Sequence, residues 1–278
     1  MTISRAQLAK ELEPGLNALF GLEYDRYENE AAEIFESEGS DRAFEEEVML
    51  SGFGTAPVKS EGSAINFDNA QETYTARYTM ETIALAFSIT EEAVEDNLYD
   101  RLAARYTRAL ARSMAQTKQI KGATVLNNAF LTTSPIGDGA ALCSAVHPSL
   151  SGNQTNLLAT PADLNETSLE EILIQIAGFT DERGLKIAVR GTKLMIPKEL
   201  QFIAERIINS NLRPGSADND INAMKSMGML PEGAAVNHFF TDADAYFVKT
   251  DCPNGFKLFN RTPLKTAMEG DFDTGNMR

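Results

Sequence analysis

The longest unbroken pattern of apolar and polar positions runs over residues 73–130. Over 73–81 the odd positions are polar (Thr73, Thr75, Arg77, Thr79, Glu81), and the even ones carry Tyr74, Ala76, Tyr78 and Met80. That period of two marks a half-buried strand. The phase then inverts: Ile83, Leu85, Phe87 and Ile89 hold the odd positions against Thr82, Ala84, Ala86 and Ser88. Read as one element, the two halves predict a strand of about 17 residues and roughly 55 Å, against an ordinary length of about 5–6 residues. Each half buries the opposite face, so one half leaves the core. A long helix is predicted to follow at once. Thr90 is its expected N-cap, and Glu91 and Glu92 sit in the first turn, where the helix dipole favours acids. Val94, Leu98, Leu102, Tyr106 and Ala109 continue an apolar stripe. Arg101, Arg105, Arg108 and Arg112 recur at steps of four, three and four, which places them in one basic row. No proline intervenes before Pro135, so a helix continuous to Phe130 would reach roughly 60 Å, with Gly122 the expected bend or break. A projecting strand pair joined to a spine-like helix is a shape for contacting neighbours rather than for enclosing a substrate.

The flanks read as follows. Residues 1–50 are expected to form an arm: a capping box at Ser4-Arg5-Ala6-Gln7, an interruption at Pro14-Gly15, then an amphipathic piece with Leu16, Leu19, Phe20, Tyr24 and Tyr27. Acids dominate after that, from Glu28 to Glu47, around the apolar anchors Ile34 and Phe35. These acids form either a solvated face or a strip that lies along the row from Arg101 to Arg112, in the same or another subunit. Glycines, Pro57 and turn formers spread over 48–72 predict the outgoing half of an extended hairpin whose return strand begins near Thr73. Residues 131–166 form a long polar connection, of the kind that is usually functional or mobile. An α/β unit follows. It opens with a capping box at Ser168-x-x-Glu171 and a helix carrying Leu169, Ile172, Leu173, Ile176 and Ala177, with Gly184 as a helix-terminating residue. Strands are predicted over 185–189, 193–196, 236–240, 243–249 and 256–259, and a second amphipathic helix over 200–208. A loop carrying Arg213, Asp218 and Asp220 separates that helix from the last strands.

Composition narrows the function. The chain has 278 residues, enough for one or two domains, and a net charge of −15. That charge argues against a nucleic-acid reader or a binder of anionic membranes, yet suits a wall that sits beside nucleic acid without sticking to it. Cys143 and Cys252 form no CxxC and no disulfide framework, so both are expected as free thiols. The first twelve residues lack an apolar h-region, and no run approaches the roughly 20 apolar residues of a membrane span. The protein is therefore expected to be made in a cytoplasm, or released from it by lysis. Catalytic constellations are thin. Cys143 and His147 are the one Cys/His pair close in sequence, without an evident orienting group. Asp242 with Asp244, and Asp218 with Asp220, lack a matching His or an EF-hand spacing. Gly52-Phe53-Gly54 does not open a helix after a strand, and no P-loop, HExxH or GxSxG occurs. No catalytic, cofactor or metal site is predicted.

The ordered series of local motifs resembles the major capsid proteins of tailed bacteriophages, in particular the Mu-like head subunits, whose fold encapsulin shells share. The resemblance is carried by Glu61-Gly62 with Phe67-Asp68, Ser88-Ile89-Thr90-Glu91-Glu92 with Asp96, and Asn127-Asn128-Ala129-Phe130. It continues in His147-Pro148 with Asn156, Leu194 to Leu200, Asn219-Asp220-Ile221-Asn222 and Tyr246-Phe247-Val248. It implies an α+β capsid fold: an N-terminal arm (1–50), an extended hairpin loop (51–80), a peripheral domain with a spine helix (81–135), an axial domain (136–235) and returning strands (236–278). It implies self-assembly through hexamers and pentamers into an icosahedral head around double-stranded DNA, without sequence-specific contact and without a membrane. Assembly would take place in the host cytoplasm, the product would be the virion, and scaffold, portal and decoration proteins would be partners. The implied subunit contacts are Phe35, Phe53, Lys59, Glu61, Phe67, Tyr74, Arg77 and Tyr78 on arm and hairpin, the row Arg101, Arg105, Arg108 and Arg112, and Arg213, Asp218 and Asp220 toward the capsomer axis. Some relatives crosslink a loop lysine to a neighbour's asparagine. Lys59 is the single hairpin lysine, and no matching Asn or Glu is identified. The family pattern leads one to expect a closing strand after Asp271, which the motif series does not show, and a large cleaved scaffold segment ahead of the arm is not expected. Two alternatives stand beside this reading: an encapsulin-type compartment shell, and a cytosolic α/β enzyme using the 136–166 loop.

Overall fold

The computed structural model describes residues 16–90, 99–213, 220–267 and 269. The chain divides into two compact units, one formed by Met1–Ala31, Glu81–Gly122 and Asn260–Arg278, the other by Ala32–Met80 and Ala123–Phe259.

In the first unit a helix α1 covers 16–24, with Phe20 buried and stacked on Tyr24. Helix α2 is one turn, Ala31–Ile34, of which only Ala31 belongs to this unit, and α3 spans Tyr99–Asn127, of which the part up to Gly122 does. At 29 residues α3 is about 43 Å long. The predicted start after Thr90 falls in 91–98, outside the described residues, as does the proposed capping box at Ser4. Gly122 does not break the helix; an interior glycine costs about 1 kcal/mol, which a helix this long carries. Of the expected stripe Val94, Leu98 and the Leu102 side chain lie outside the described residues, and Tyr106 and Ala109 are exposed rather than buried. Ala103, Thr107, Ala111, Ala115 and Gln119 are buried, while Tyr106 is exposed and rests on Phe87, with ring centroids 5.9 Å apart. Three of the five buried residues are alanines, so bulk was a poor guide to the inner face. Gln119 supplies specificity: its Oε1 accepts from the Ala31 N–H at 2.9 Å, and its Nε2 donates to Glu28 O at 3.1 Å and Asn29 Oδ1 at 3.2 Å. Lys121 donates to Glu81 at 2.7 Å, and that pairing pulls the Glu81 carboxyl below its usual range. The second half of the predicted 17-residue strand is not a strand over 80–88. β3 ends at Thr79 because its partner's register ends there, Phe44 facing Thr79. The inverted phase beyond that point finds no ladder among the described residues.

In the second unit β1 (Glu36–Gly39) pairs with β7 (Lys257–Asn260), and β2 (Phe44–Leu50) runs antiparallel to β3 (Glu72–Thr79). The hairpin thus begins at Phe44, inside what was read as an acidic arm. Its acids are neutralised within the chain. Arg77 Nε donates to Glu46 at 2.7 Å with its guanidinium 4.4 Å from the Phe44 ring centroid. Tyr78 and Lys257 both donate to Glu47, and Lys193 bridges Glu33 at 2.5 Å and Glu232 at 2.8 Å. Burial pushes the Lys193 ammonium down, but the two carboxylates outweigh it and hold it raised.

A three-stranded sheet centres this unit. β4 (Gly191–Pro197) is parallel to β5 (Ala234–Asn237) and antiparallel to β6 (Phe247–Thr250). The strands expected over 236–240 and 243–249 are therefore shorter and shifted. Helices α4 (Glu166–Ala177), α5 (Gln201–Asn209) and α6 (Ala223–Met227) contribute Leu169, Leu173, Ile207 and Met224 to the core around Leu194 and Ile196. Gly191 is required there, since a Cβ would lie 2.6 Å from Leu173 Cδ2 and 2.9 Å from Val248 Cγ1. The cap of α4 is Asn165, three residues before the predicted Ser168. Asn165 Oδ1 accepts from Ser168 N at 2.9 Å, and Ser168 Oγ accepts from Asn165 N at 3.0 Å. Either residue type caps well, and the one set before the first turn wins. Gly178, not Gly184, ends α4; Gly184 takes φ +83° in a turn closed onto Asp181. Residues 185–189 form no strand, only a bridge between Thr180 and Lys186. A second, small cluster joins Ile34, Leu126 and Met195, and Phe35 packs on it with its ring edge toward Phe256 at 5.7 Å.

Candidate assembly interface

The hairpin extends far past its ladder. Between Leu50 and Glu72 the chain forms no strand. It is closed at the base by Ser51 N–H donating to Gln71 O and by the Ser51 hydroxyl accepting from Gln71 N–H, both at 2.9 Å. Farther out, Asp68 is the clip. Its Oδ2 accepts from Gly54 N–H at 2.8 Å, and Arg183 donates to both carboxylate oxygens at 2.7 and 2.9 Å. The Gly54 amide first, then Arg183, hold this carboxyl below its usual range. Gly137 sets the seat of the return strand: a Cβ there would come within 2.9 Å of Ala76 Cβ and 3.1 Å of Tyr74 Cδ2. The tip turns at Ser60–Ser63, with Gly62 at φ +79°. Around it Val58 is 99% exposed, Phe67 96%, Ile65 70% and Phe53 62%. Such a run of bare apolar groups on a clipped projection marks a surface made to be covered.

The sequence-predicted contact residues fall into groups. Phe53, Lys59, Glu61 and Phe67 lie together on the exposed loop. Tyr74, Arg77 and Tyr78 share β3 but turn inward or sideways: Tyr74 against the Gly137 turn, Arg77 onto Glu46, Tyr78 onto Glu47 and the Phe259 ring. Phe35 is anchored in its own chain. Arg105, Arg108 and Arg112 are exposed along α3, while the Arg101 side chain lies outside the described residues. Arg213 donates to Glu166 at 3.0 Å, and its N–H closes a loop onto Asp220 O at 3.0 Å. Asp218 lies outside the described residues. Sequence reasoning missed Val58 and Ile65, which sit among turn formers without a period, and missed the clip, whose partners are 115 residues apart.

The Cys143/His147 pairing considered for an enzyme is not formed. His147 Nδ1 meets Asp138 Oδ2 at 2.7 Å rather than the Cys143 thiol. Burial pushes that thiol up to about 11, so it is protonated and poorly nucleophilic at neutral pH. Asp242 accepts from the Asp244 N–H at 3.1 Å in a local turn. A cavity of about 570 Å³ lies in the second unit among Leu126, Leu142, Ile176, Met195 and Phe247; its wall is mostly apolar, and Cys143 is part of it. Among the described residues no three His, Cys, Asp or Glu side chains converge as metal ligands, and no helix is long and apolar enough to cross a membrane.

The fold is that of phage capsid proteins. The chain is similar to the capsid protein of bacteriophage JBD30 at 11% identity and a TM-score of 0.57, over 76% of this chain and 90% of that one. For the JBD30 procapsid the values are 13% and 0.53, over 87% of this chain and all of that one. For the JBD30 capsid decorated with minor capsid protein trimers they are 12% and 0.54, over 75% and 89%. No curated protein matches. The model of the phage capsid protein family matches residues 73–278, and the chain belongs to that family. It is a shell protein, and neither the encapsulin nor the enzyme alternative gains support.

Proposed function

We propose that this chain is the major head subunit of a tailed phage, assembling through hexamers and pentamers into an icosahedral shell around double-stranded DNA. The observation that carries the reading is the apolar hairpin tip, held out in one pose by Asp68 and Arg183. Four large apolar side chains with no cover in their own subunit favour burial against a neighbour, at about 1.5–3 kcal/mol for each one fully buried. Repeated around a ring, such a head-to-tail contact closes on itself. Phe53, Lys59, Glu61 and Phe67 form the contact set in this proposal, with β2 and β3 as its stem. The unit holding most of α3 corresponds to the peripheral domain, and the region around the three-stranded sheet to the axial domain. Scaffold and portal proteins complete the assembly in the host cytoplasm. Because the JBD30 head carries minor capsid protein trimers, a decoration protein belongs to the same proposal.

The test is expression of the chain alone and together with its scaffold, followed by negative-stain microscopy and light scattering. Closed shells or capsomer rings are the expected result. A monomer or dimer that persists with the scaffold supplied would sink the reading.

A further inference from the structure

We propose that the exposed arginine row of α3 (Arg105, Arg108 and Arg112) binds the phosphodiester backbone of double-stranded DNA without reading its sequence. The choice of polyanion rests on the proposed role as a genome-enclosing shell. The charge distribution is the starting point. Residues 101–137 carry six of the chain's 25 basic residues and none of its 40 acids. Within a chain whose net charge of −15 keeps the wall as a whole from sticking to nucleic acid, this is a local segment of opposite sign.

Five arginines elsewhere in the described residues find carboxylates, although Arg206 donates only to a backbone carbonyl. Arg26 reaches Glu23, Arg42 Glu45, Arg77 Glu46, Arg183 Asp68 and Arg213 Glu166. Arg105, Arg108 and Arg112 are exposed and meet no carboxylate among the described residues. Within the chain's acidic segment Glu33, Glu38, Glu45, Glu46 and Glu47 are already paired, with Lys193, Lys257, Arg42, Arg77 and Lys257 respectively. Among the described residues the row is thus left without a carboxylate and open to an external anion.

Geometry favours a rigid, regular polyanion. On a helix the three guanidiniums are spaced about 4.5 and 6 Å apart along the axis and lie within roughly 60° of arc. They make a straight strip of about 10 Å. Duplex DNA presents one negative charge per about 1.7 Å of its axis, so a strip of this length meets several phosphates at once, and a planar guanidinium suits two-pronged donation to each. An acidic amphipathic helix would also need an apolar seam. Directly beside the arginines this face carries Ala104, Ala109 and Gln116, and the exposed Tyr106 and Ile120 stand to one side of the row rather than along it.

The test is fluorescence anisotropy of a labelled 20-base-pair duplex with full-length, unassembled subunits between 50 and 200 mM salt. The wild type is expected to bind, with log K falling against log salt at a slope of about −2.7 for three phosphate contacts. The variant R105Q/R108Q/R112Q is expected to lose about tenfold or more in affinity and most of the slope. The variant R105K/R108K/R112K, which keeps the charge, should retain most of both and guards against a folding defect. Absence of wild-type binding at 50 mM salt, or equal binding by the glutamine variant, would overturn the proposal. So would tighter binding to poly-glutamate than to the duplex, which would assign the row to an acidic protein. Shell formation by microscopy is read separately: loss of shells with duplex binding intact would strike the shell reading alone.

Discussion

The hairpin tip and the three-stranded sheet use similar side chains to opposite ends. In β4, Leu194 and Ile196 are fully buried between α4, α5 and β6, and even a methyl group at position 191 would collide. At the tip, Val58, Ile65 and Phe67 stand in solvent, and the polar groups Ser51, Gln71, Asp68 and Arg183 fix the chain's path. One region is held by its apolar groups; the other is held by polar ones so that its apolar groups stay available. Burial within the subunit gives stability, and withheld burial gives a surface for association.

Substitutions should separate the two regions. The largest effect belongs to the sheet: Leu194→Ala should cost about 2–5 kcal/mol in urea unfolding of the isolated subunit. Phe67→Ala should leave that unfolding within about 0.5 kcal/mol of wild type. It should weaken assembly instead, by up to about 1.5–3 kcal/mol per contact, read as a higher protein concentration at the onset of light scattering. Equal subunit destabilisation by both would erase the distinction. Asn165→Ala should cost the sheet unit about 1 kcal/mol through the lost cap of α4, with Asn165→Asp largely preserving it.

Acid gives a subtler probe. The Asp68 carboxyl is depressed by Gly54 and Arg183, so its contribution is complete above the ordinary carboxylate value and is lost as pH falls through the lower folded value. Hydrogen-exchange protection of the Gly54 amide, corrected for intrinsic rates, should fall in acid for the wild type. In Asp68→Ala, which removes the acceptor, it should be low at every pH. The smallest effect concerns the thiols. Cys252 is exposed while burial raises Cys143 to about 11, so a thiol reagent at neutral pH should label Cys252 first. Faster labelling of Cys143 would show that the apolar cavity beside it opens.

Much of the fold was legible in local pattern. Period two marked β3 through Tyr74, Ala76 and Tyr78, and the apolar repeat marked α4 and α5. Failures arose where the outcome depended on a distant partner. The run from Ile83 to Ile89 has a strand's alternation, yet the ladder stops at Thr79 where β2 stops. Glu45, Glu46 and Glu47 read as part of an acidic arm, solvated or lying along the arginine row, and became a strand because Arg77, Tyr78 and Lys257 stand opposite them. The inner face of α3 was misread because alanines are buried there while Tyr106 faces out.

By itself the sequence determined the elements with strong periodicity, the basic row and the apolar, turn-rich hairpin, because these follow from spacing along one segment. Tertiary structure decided which strand pairs with which, which acids are neutralised, and that the tip is clipped through residues 115 positions apart. Those outcomes are contacts between remote segments, and their energy exists only once the chain has brought both partners together.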